Sequence, residues 1–354
     1  MVGELSYSSS GDRSARAGNP TSNGSAMRGR HAVILGGAGF LGLHLASRLR
    51  RDGARVTVVD NLSTAPRDGI DSLSKQLGIR FIEANISDGI PVDDADVSFV
   101  LHFASAASPI DYARYPIETL RVGSIGTENA LELARRSGAK FMFASTSEVY
   151  GDPLVTPQHE GYWGNVNSVG PRSVYDEAKR YGEAITMAYH REFGMDVKLP
   201  RIFNTFGPGM RAEDGRAVPA FMTAALSGHP LPVHGDGSQT RSLCYVDDLV
   251  EGLLRMLLSD HIGPMNIGNP AETSIRELAD LIIAITGSTS DIESRPRPID
   301  DPEVRVPDIT LASERLDWWP QVTMKDGLVR TIDWFEQFAF KGESALQAEV
   351  GLIA

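Results

Sequence analysis

"HAVILGGAGFLGLHLASRLRRDGARVTVVD", residues 31–60, decides the fold. An apolar run, HAVILG (31–36), passes straight into a glycine-rich turn, then into a stretch of helical spacing (40–52), then into a second apolar run, RVTVVD (55–60). Gly36, Gly39 and Gly42 fall three residues apart across the turn. Glycines there permit a tight turn and let backbone approach a pyrophosphate, while the helix that follows offers free N–H groups and partial positive charge. Asp60 ends the second run, at the ~20-residue spacing of a carboxylate that holds a ribose diol. A carboxylate in that place repels a 2′-phosphate, so the turn reads as a site for NAD rather than NADP. Arg67 is a mild counter-signal, because an arginine just downstream can face a phosphate; it is expected beside the adenine.

Outward from this unit the same alternation continues. Apolar runs at 80–84, 97–104, 140–145 and 197–202 read as buried strands, and 116–136 and 173–193 have helical spacing. Strands apolar throughout, alternating with helices, imply an α/β fold with a parallel sheet covered on both faces. After about residue 203, glycine, proline and loop signals multiply, with helices expected near 217–227, 247–258, 275–286 and 324–338. The expected organisation is a disordered leader (1–29), a dinucleotide-binding domain (30–203, with some exchange of strands and helices later in the chain), a smaller substrate lobe (204–340) and a tail (341–354). Ligands of open α/β sheets bind in the crevice at the carboxyl ends of the strands.

The 354 residues carry a net charge of −12, which argues against a nucleic-acid surface or a polybasic membrane patch. No window approaches the ~18 apolar residues of a membrane span, and the Ser/Gly/Asn-rich leader lacks the apolar core of a signal peptide. Cys244 is the sole cysteine, so neither an intrachain disulfide nor a cysteine metal cluster can form. The histidines show no ligand-like spacing, so no metal is expected. A soluble, cytoplasmic protein follows as the default.

Two further stretches carry chemistry. In "SVYDEAKRYGEA", Tyr175 and Lys179 stand four apart in a helical segment, hence on one face. A free tyrosine titrates near ~10, and a neighbouring ammonium together with an oxidised nicotinamide favours its phenolate. In "FASTSEVYGDP" (143–153), a strand delivers Thr146, Ser147 and Glu148 in succession to a loop. Phenolate, ammonium and the Thr146 hydroxyl together can take a proton from a sugar hydroxyl while hydride leaves for NAD.

Together, "GGAGFLG", "STSEVYGDP", "YDEAKR", "RIFNTFGPGM" and "YVDDLVEGL" resemble the extended short-chain dehydrogenase/reductase superfamily that acts on nucleotide sugars. Within it, "GPRSVYDEAKR" and "GDGSQTRSLCYVDDL" are similar to the UDP-glucuronate decarboxylase (UDP-xylose synthase) family. The likeness runs from about 31 to 340. It implies a Rossmann-like, doubly wound domain of about seven strands, tightly held NAD, a C-terminal lobe for a UDP-sugar substrate and a homodimer formed through a helix bundle. It further implies cofactor contacts from Phe40, Leu41, Asn61 and Thr64 on one side of the turn. Asn85, Ile86, Phe103, Ala104 and Ser105 supply others. Asn204, Arg216 and Arg241 match positions that contact the diphosphate or ribose, and Arg121 matches a basic substrate contact. Arg305 aligns with an arginine used at the substrate carboxylate or as proton donor at C5; relay through water and simple carboxylate binding stay open.

The residue between Thr146 and Glu148 bears on reaction type. Related 4,6-dehydratases carry aspartate where this chain has Ser147. An aspartate would repel a substrate whose C6 is already a carboxylate, whereas serine offers a hydrogen bond. The expected reaction is NAD-dependent decarboxylation of UDP-glucuronate to UDP-xylose, with a 4-epimerase or 4,6-dehydratase as alternatives and a non-catalytic dinucleotide sensor behind them. Glu148 sits awkwardly beside an anionic substrate; positioning water, expelling carboxylate by repulsion and a structural role are all open. Three departures from the family pattern stand out. Asn85 replaces an aspartate, Gly123 in "RVGSIGT" replaces a cofactor-side asparagine, and Gly209 turns "GPRM" into "GPGM".

Overall fold

The computed structural model describes residues 26–93, 95–297 and 304–339. Its spine is a parallel sheet built from β1 (His31–Leu35), β2 (Arg55–Asp60), β3 (Arg80–Glu83), β4 (Phe99–His102), β5 (Lys140–Phe143), β6 (Val197–Ile202) and β7 (Gly263–Ile267). The order is β7-β6-β5-β4-β1-β2-β3, and a two-residue extension, Ser145–Thr146, pairs with β6 as an eighth strand. The chain reverses its direction of growth between β1 and β4, and the crevice there is where doubly wound sheets receive ligands.

Strand β1 shows why the sheet is covered on both faces. Ala32 and Ile34 enter one apolar core, with Leu45, Leu49, Val56 and Val58; Val33 and Leu35 enter the other, with Val59, Val100, Leu131 and Phe141. With side chains alternating every residue, a strand apolar throughout has no wet face.

Several smaller elements sit over the carboxyl end of the sheet. A three-stranded sheet has Thr240–Ser242 at its centre, flanked by Glu272–Ser274 and Val304–Arg305. In this sheet Arg241 lies directly across from Arg305. The chain between 204 and 340 therefore contributes both to this cap and, through β7, to the main sheet.

The expected leader extended through residue 29. Met27 is fully buried in the core, so ordered structure begins before that boundary, and residues 1–25 lie outside the described residues, as does the tail from 340 onward. Among the described residues no helix is long and apolar enough to cross a membrane.

Candidate active site

The loops that leave the carboxyl ends of β1 to β6 open into one cavity of about 1480 Å3. A pocket for one drug-sized ligand occupies roughly 300–1000 Å3, so this space suits a dinucleotide and a second ligand together. Gly36, Gly39, Phe40, Leu41 and Gly42 line it at the first turn; Asp60, Asn61 and Thr64 line it beyond β2. Asn85, Ile86, Phe103, Ala104 and Ser105 follow from β3 and β4. Arg67 is not among the lining residues; it pairs with Glu83 and lies over the Phe81 ring.

The glycine turn is shaped by close approach. Gly36 has φ +78, and a Cβ on it would fall 2.4 Å from the backbone of Ala104. A Cβ on Gly42 would fall 2.6 Å from the Gly36 carbonyl oxygen. The helix Phe40–Arg51 has no side-chain cap at Gly39 and no acid in its first turn. Asp60 accepts hydrogen bonds from Ala38 N (3.0 Å) and Leu62 N (2.8 Å), which ties β2 to the turn. Burial holds its carboxyl above the usual range against those backbone bonds.

At the far wall, Ser145–Thr146 runs into a short 3-10 helix, Ser147–Tyr150, capped by Thr146 Oγ1, which accepts from Glu148 N at 3.2 Å. Glu148 is gripped from both sides. Arg305 reaches its Oε1 at 2.6 Å, and Arg172 donates to its Oε2 at 2.6 Å. Burial works to raise this carboxyl, but the charges of Arg305 and Arg172 overcome it and bring it down to about 2. Arg241 adds to the same field. The acid that looked awkward beside an anionic ligand is thus outnumbered by guanidinium groups, and the wall is cationic overall.

Ser147 occupies a different place from the one expected. It is 1% exposed, does not line the cavity, and accepts a hydrogen bond from Arg305 Nη1 at 3.2 Å. The expectation of a hydroxyl offered directly to the ligand is corrected: the side chain faces Arg305 behind the cavity wall. An aspartate here would bring a second negative charge to that guanidinium; serine leaves its charge uncommitted beyond Glu148.

Tyr175 lies beside Thr146 and stacks on Tyr112, with ring centroids 5.5 Å apart. Burial and the nearby Glu148 push its phenol above the usual range. Lys179 is 4% exposed, donates to the Ala144 carbonyl at 2.8 Å and lies 5.7 Å from the Tyr175 ring centroid. Burial alone brings its ammonium down to about 7. The expected lowering of the tyrosine by this lysine is therefore outweighed: desolvation disfavours both charged forms in the protein by itself. Arg121, Asn204, Arg216, Arg241 and Arg305 all line the cavity. Arg216 forms a two-pronged pair with Asp214, one prong spanning 2.8 Å.

Some participants escape a reading of motifs. Arg172 stands three residues before Tyr175 at the start of the same helix, a spacing that could have flagged it. Asp176 is buried, and desolvation together with Glu148 raises its carboxyl to about 7 against Arg172 and Arg305. Arg211 pairs with Asp111 across the cavity, which no local pattern announces.

A model of the NAD dependent epimerase/dehydratase family matches residues 32–268. The chain belongs to this family. Two relatives are called UDP-glucuronic acid decarboxylase 1. The Arabidopsis thaliana protein is 44% identical over 303 residues, covering 86% of this chain and 69% of its own. The Danio rerio protein is 45% identical over 308 residues, covering 87% and 73%. Among solved structures, a UDP-glucose 4-epimerase of Thermotoga maritima with UDP-glucose has a TM-score of 0.78 at 29% identity, covering 86% of this chain and 98% of that one. The cofactor of a member of this family is NAD. The turn fits it on its own terms: an uncapped helix start for the pyrophosphate, a backbone cradle a Cβ would fill, and the Asp60 carboxylate on the cavity wall at the end of β2.

Proposed function

We propose that the protein catalyses the decarboxylation of UDP-glucuronate to UDP-xylose with NAD retained as a recycled cofactor. The observation that carries this reading is the cationic wall: Glu148 held between Arg305 and Arg172, with Ser147 turned onto Arg305 beside Tyr175. Such a wall receives a sugar carboxylate and does not supply the aspartate that a dehydratase brings to C6. The names of the relatives above agree with it.

When bound, oxidised NAD supplies a hydride acceptor for C4, later returns that hydride, and places positive charge where it favours the Tyr175 phenolate. Tyr175, beside Thr146, takes the C4 hydroxyl proton. The resulting 4-keto uronic acid is a β-keto acid. As its C5–C6 bond breaks to give CO2, the electron pair moves onto the C4 oxygen, which the Tyr175 and Thr146 hydroxyls cover. A proton then reaches C5 from the side of Arg305, by relay through water, since a guanidinium rarely deprotonates. Arg216, Arg241 and Asn204 serve the diphosphate and ribose, with Arg216 exchanging Asp214 for phosphate oxygens. Lys179 holds the Ala144 carbonyl and so fixes the strand end that carries Thr146.

The protein is also proposed to be a homodimer in a reducing, cytoplasmic setting. Ile117 (55% exposed) and Ile125 (47%) stand out on the neighbouring helix and π turn, and Tyr181 (39%) on the Tyr175 helix itself, an apolar face suited to a second copy. The deciding experiment is incubation with UDP-glucuronate and no added reductant. Release of CO2 with one UDP-xylose per substrate is expected. A product that keeps its carboxylate, or a dehydrated sugar, points to the epimerase or dehydratase instead. A Tyr175→Phe variant with full turnover contradicts the mechanism.

A further inference from the structure

The helix Ser173–Phe193 carries both Tyr175 and Lys179, and its position depends on two contacts that admit no side chain. On one side lies the helix pair Pro116–Arg121 and Thr127–Ser137, joined through a π turn, Val122–Gly126. Gly123 sits in that turn. A Cβ placed on it would lie 2.6 Å from the Ala178 Cβ, closer than two carbons can pack, and 3.1 Å from the Ala178 carbonyl oxygen, a tight contact. Ala178 falls between Tyr175 and Lys179 on the inward face. On the other side, a Cβ on Gly182 would lie 2.1 Å from the Phe143 ring. Lys179 Nζ rests over that same ring, 5.0 Å from its centroid.

The turn is anchored to the sheet as well. Thr127 Oγ1 donates to the Gly123 carbonyl at 2.8 Å and lies 3.1 Å from His102 Nε2 at the end of β4. A π turn inserts one extra residue into a helical ladder, shifting the face it presents. Here it presents the bare Cα of Gly123 to Ala178. The departure at position 123 is therefore a change in helix spacing rather than a missing polar contact: an asparagine would not fit where the glycine is.

We propose that Gly123, through its side-chain-free contact with Ala178, is a positioning residue that sets how deeply Tyr175 and Lys179 are seated. The functional consequence rests on the decarboxylase reading, but the packing does not. Adding one methyl forces the helices apart and admits water beside Lys179.

Two readouts test this. The first needs no substrate: NMR titration of 13Cε-lysine protein, with Lys179 assigned by a Lys179→Met variant. In the unsubstituted protein Lys179 is expected to titrate near 7. In Gly123→Ala its midpoint should rise by about one unit or more toward the ordinary lysine value of ~10.4, as desolvation is relieved. The double variant Gly123→Ala/Ala178→Gly moves the methyl to the facing helix and should return the midpoint. The second readout is steady-state turnover: Gly123→Ala should lower kcat about tenfold or more with little change in KM, and the double variant should recover to within about threefold. Where Gly123→Ala does not fold, the double variant decides. An unmoved Lys179 midpoint in Gly123→Ala overturns the proposal, as does a double variant that is unfolded or no better than the single. If the unsubstituted protein leaves UDP-glucuronate untouched, the decarboxylase reading fails while the titration still judges the helix contact.

Discussion

Two partly buried acid–arginine clusters grip the ends of the same helix neighbourhood and differ in how they are completed. Beneath the helix, Glu183 takes both prongs of Arg201, at 2.8 and 2.7 Å, and also accepts from Ser145 at 2.6 Å. Arg201 finishes its valence on the Tyr150 hydroxyl and the Glu160 carbonyl, both at 3.0 Å. One acid meets one arginine, and the pair is closed. At the cavity, Glu148 meets both Arg305 and Arg172, and the buried Nε of Arg305 has no hydrogen-bond partner among the described residues. The first cluster joins helix to sheet; the second holds surplus positive charge at the edge of a cavity. Stoichiometry, not chemistry, separates a structural pair from a binding wall.

The comparison breaks most readily at the closed pair. Arg201→Met leaves Glu183 buried without its partner, and urea unfolding should show a loss of about 3–5 kcal/mol. Replacing both, as Arg201→Met/Glu183→Leu, should recover most of it, because an apolar pair carries no uncompensated charge. If the single variant unfolds like the unsubstituted protein, the distinction between the clusters collapses.

At the open cluster the effect should move from stability to rate. Arg305→Ala is expected to lower kcat about 10²–10³-fold, the range seen when one aligned donor is removed from developing charge. Its unfolding free energy should fall less than that of Arg201→Met, since Glu148 keeps Arg172. Equal damage to both properties would place Arg305 among the structural residues.

The smallest effect is a pH dependence of stability. Glu148, held near 2 by its arginines after burial is overcome, contributes stability that is complete above the unfolded carboxylate range and is lost as pH falls toward 2. Asp176, raised to about 7 by burial and Glu148, has the opposite sign: the unfolded chain loses its proton first, so stability declines as pH rises from about 4 to 7. Denaturant midpoints across that window should therefore slope downward, and Asp176→Asn should flatten them. A slope that survives the substitution assigns it to other groups.

Much of this architecture was legible in residues 31–60. The glycine spacing and Asp60 identify the turn, and the apolar runs identify six of the sheet strands to within a residue or two. Strand β7 (263–267, "GPMNI") was not legible, because five residues with a proline and an asparagine do not read as a buried strand; Asn266 is there because it bonds the Gln158 and Asp308 carbonyls. Helix Arg67–Leu77 was hidden by its polar outer face, and Pro109–Arg114 by its brevity. At the site, local motifs placed Thr146, Tyr175 and Lys179 together, since each is fixed by the element it sits on. The partners of Glu148 come from residues 24 and 157 positions away, so only the fold could bring them in. In sequence Ser147 reads as facing the ligand for the same reason: nothing local says that Arg305 lies behind it.

Turnover of UDP-glucuronate in D2O tests the central claim most directly, with the product read by NMR and mass spectrometry. The expected product is UDP-xylose carrying one solvent deuteron at C5 and none at C4, because the C4 hydrogen leaves and returns as the same hydride. Deuterium at C4, or a product that still bears its C6 carboxylate, would contradict it.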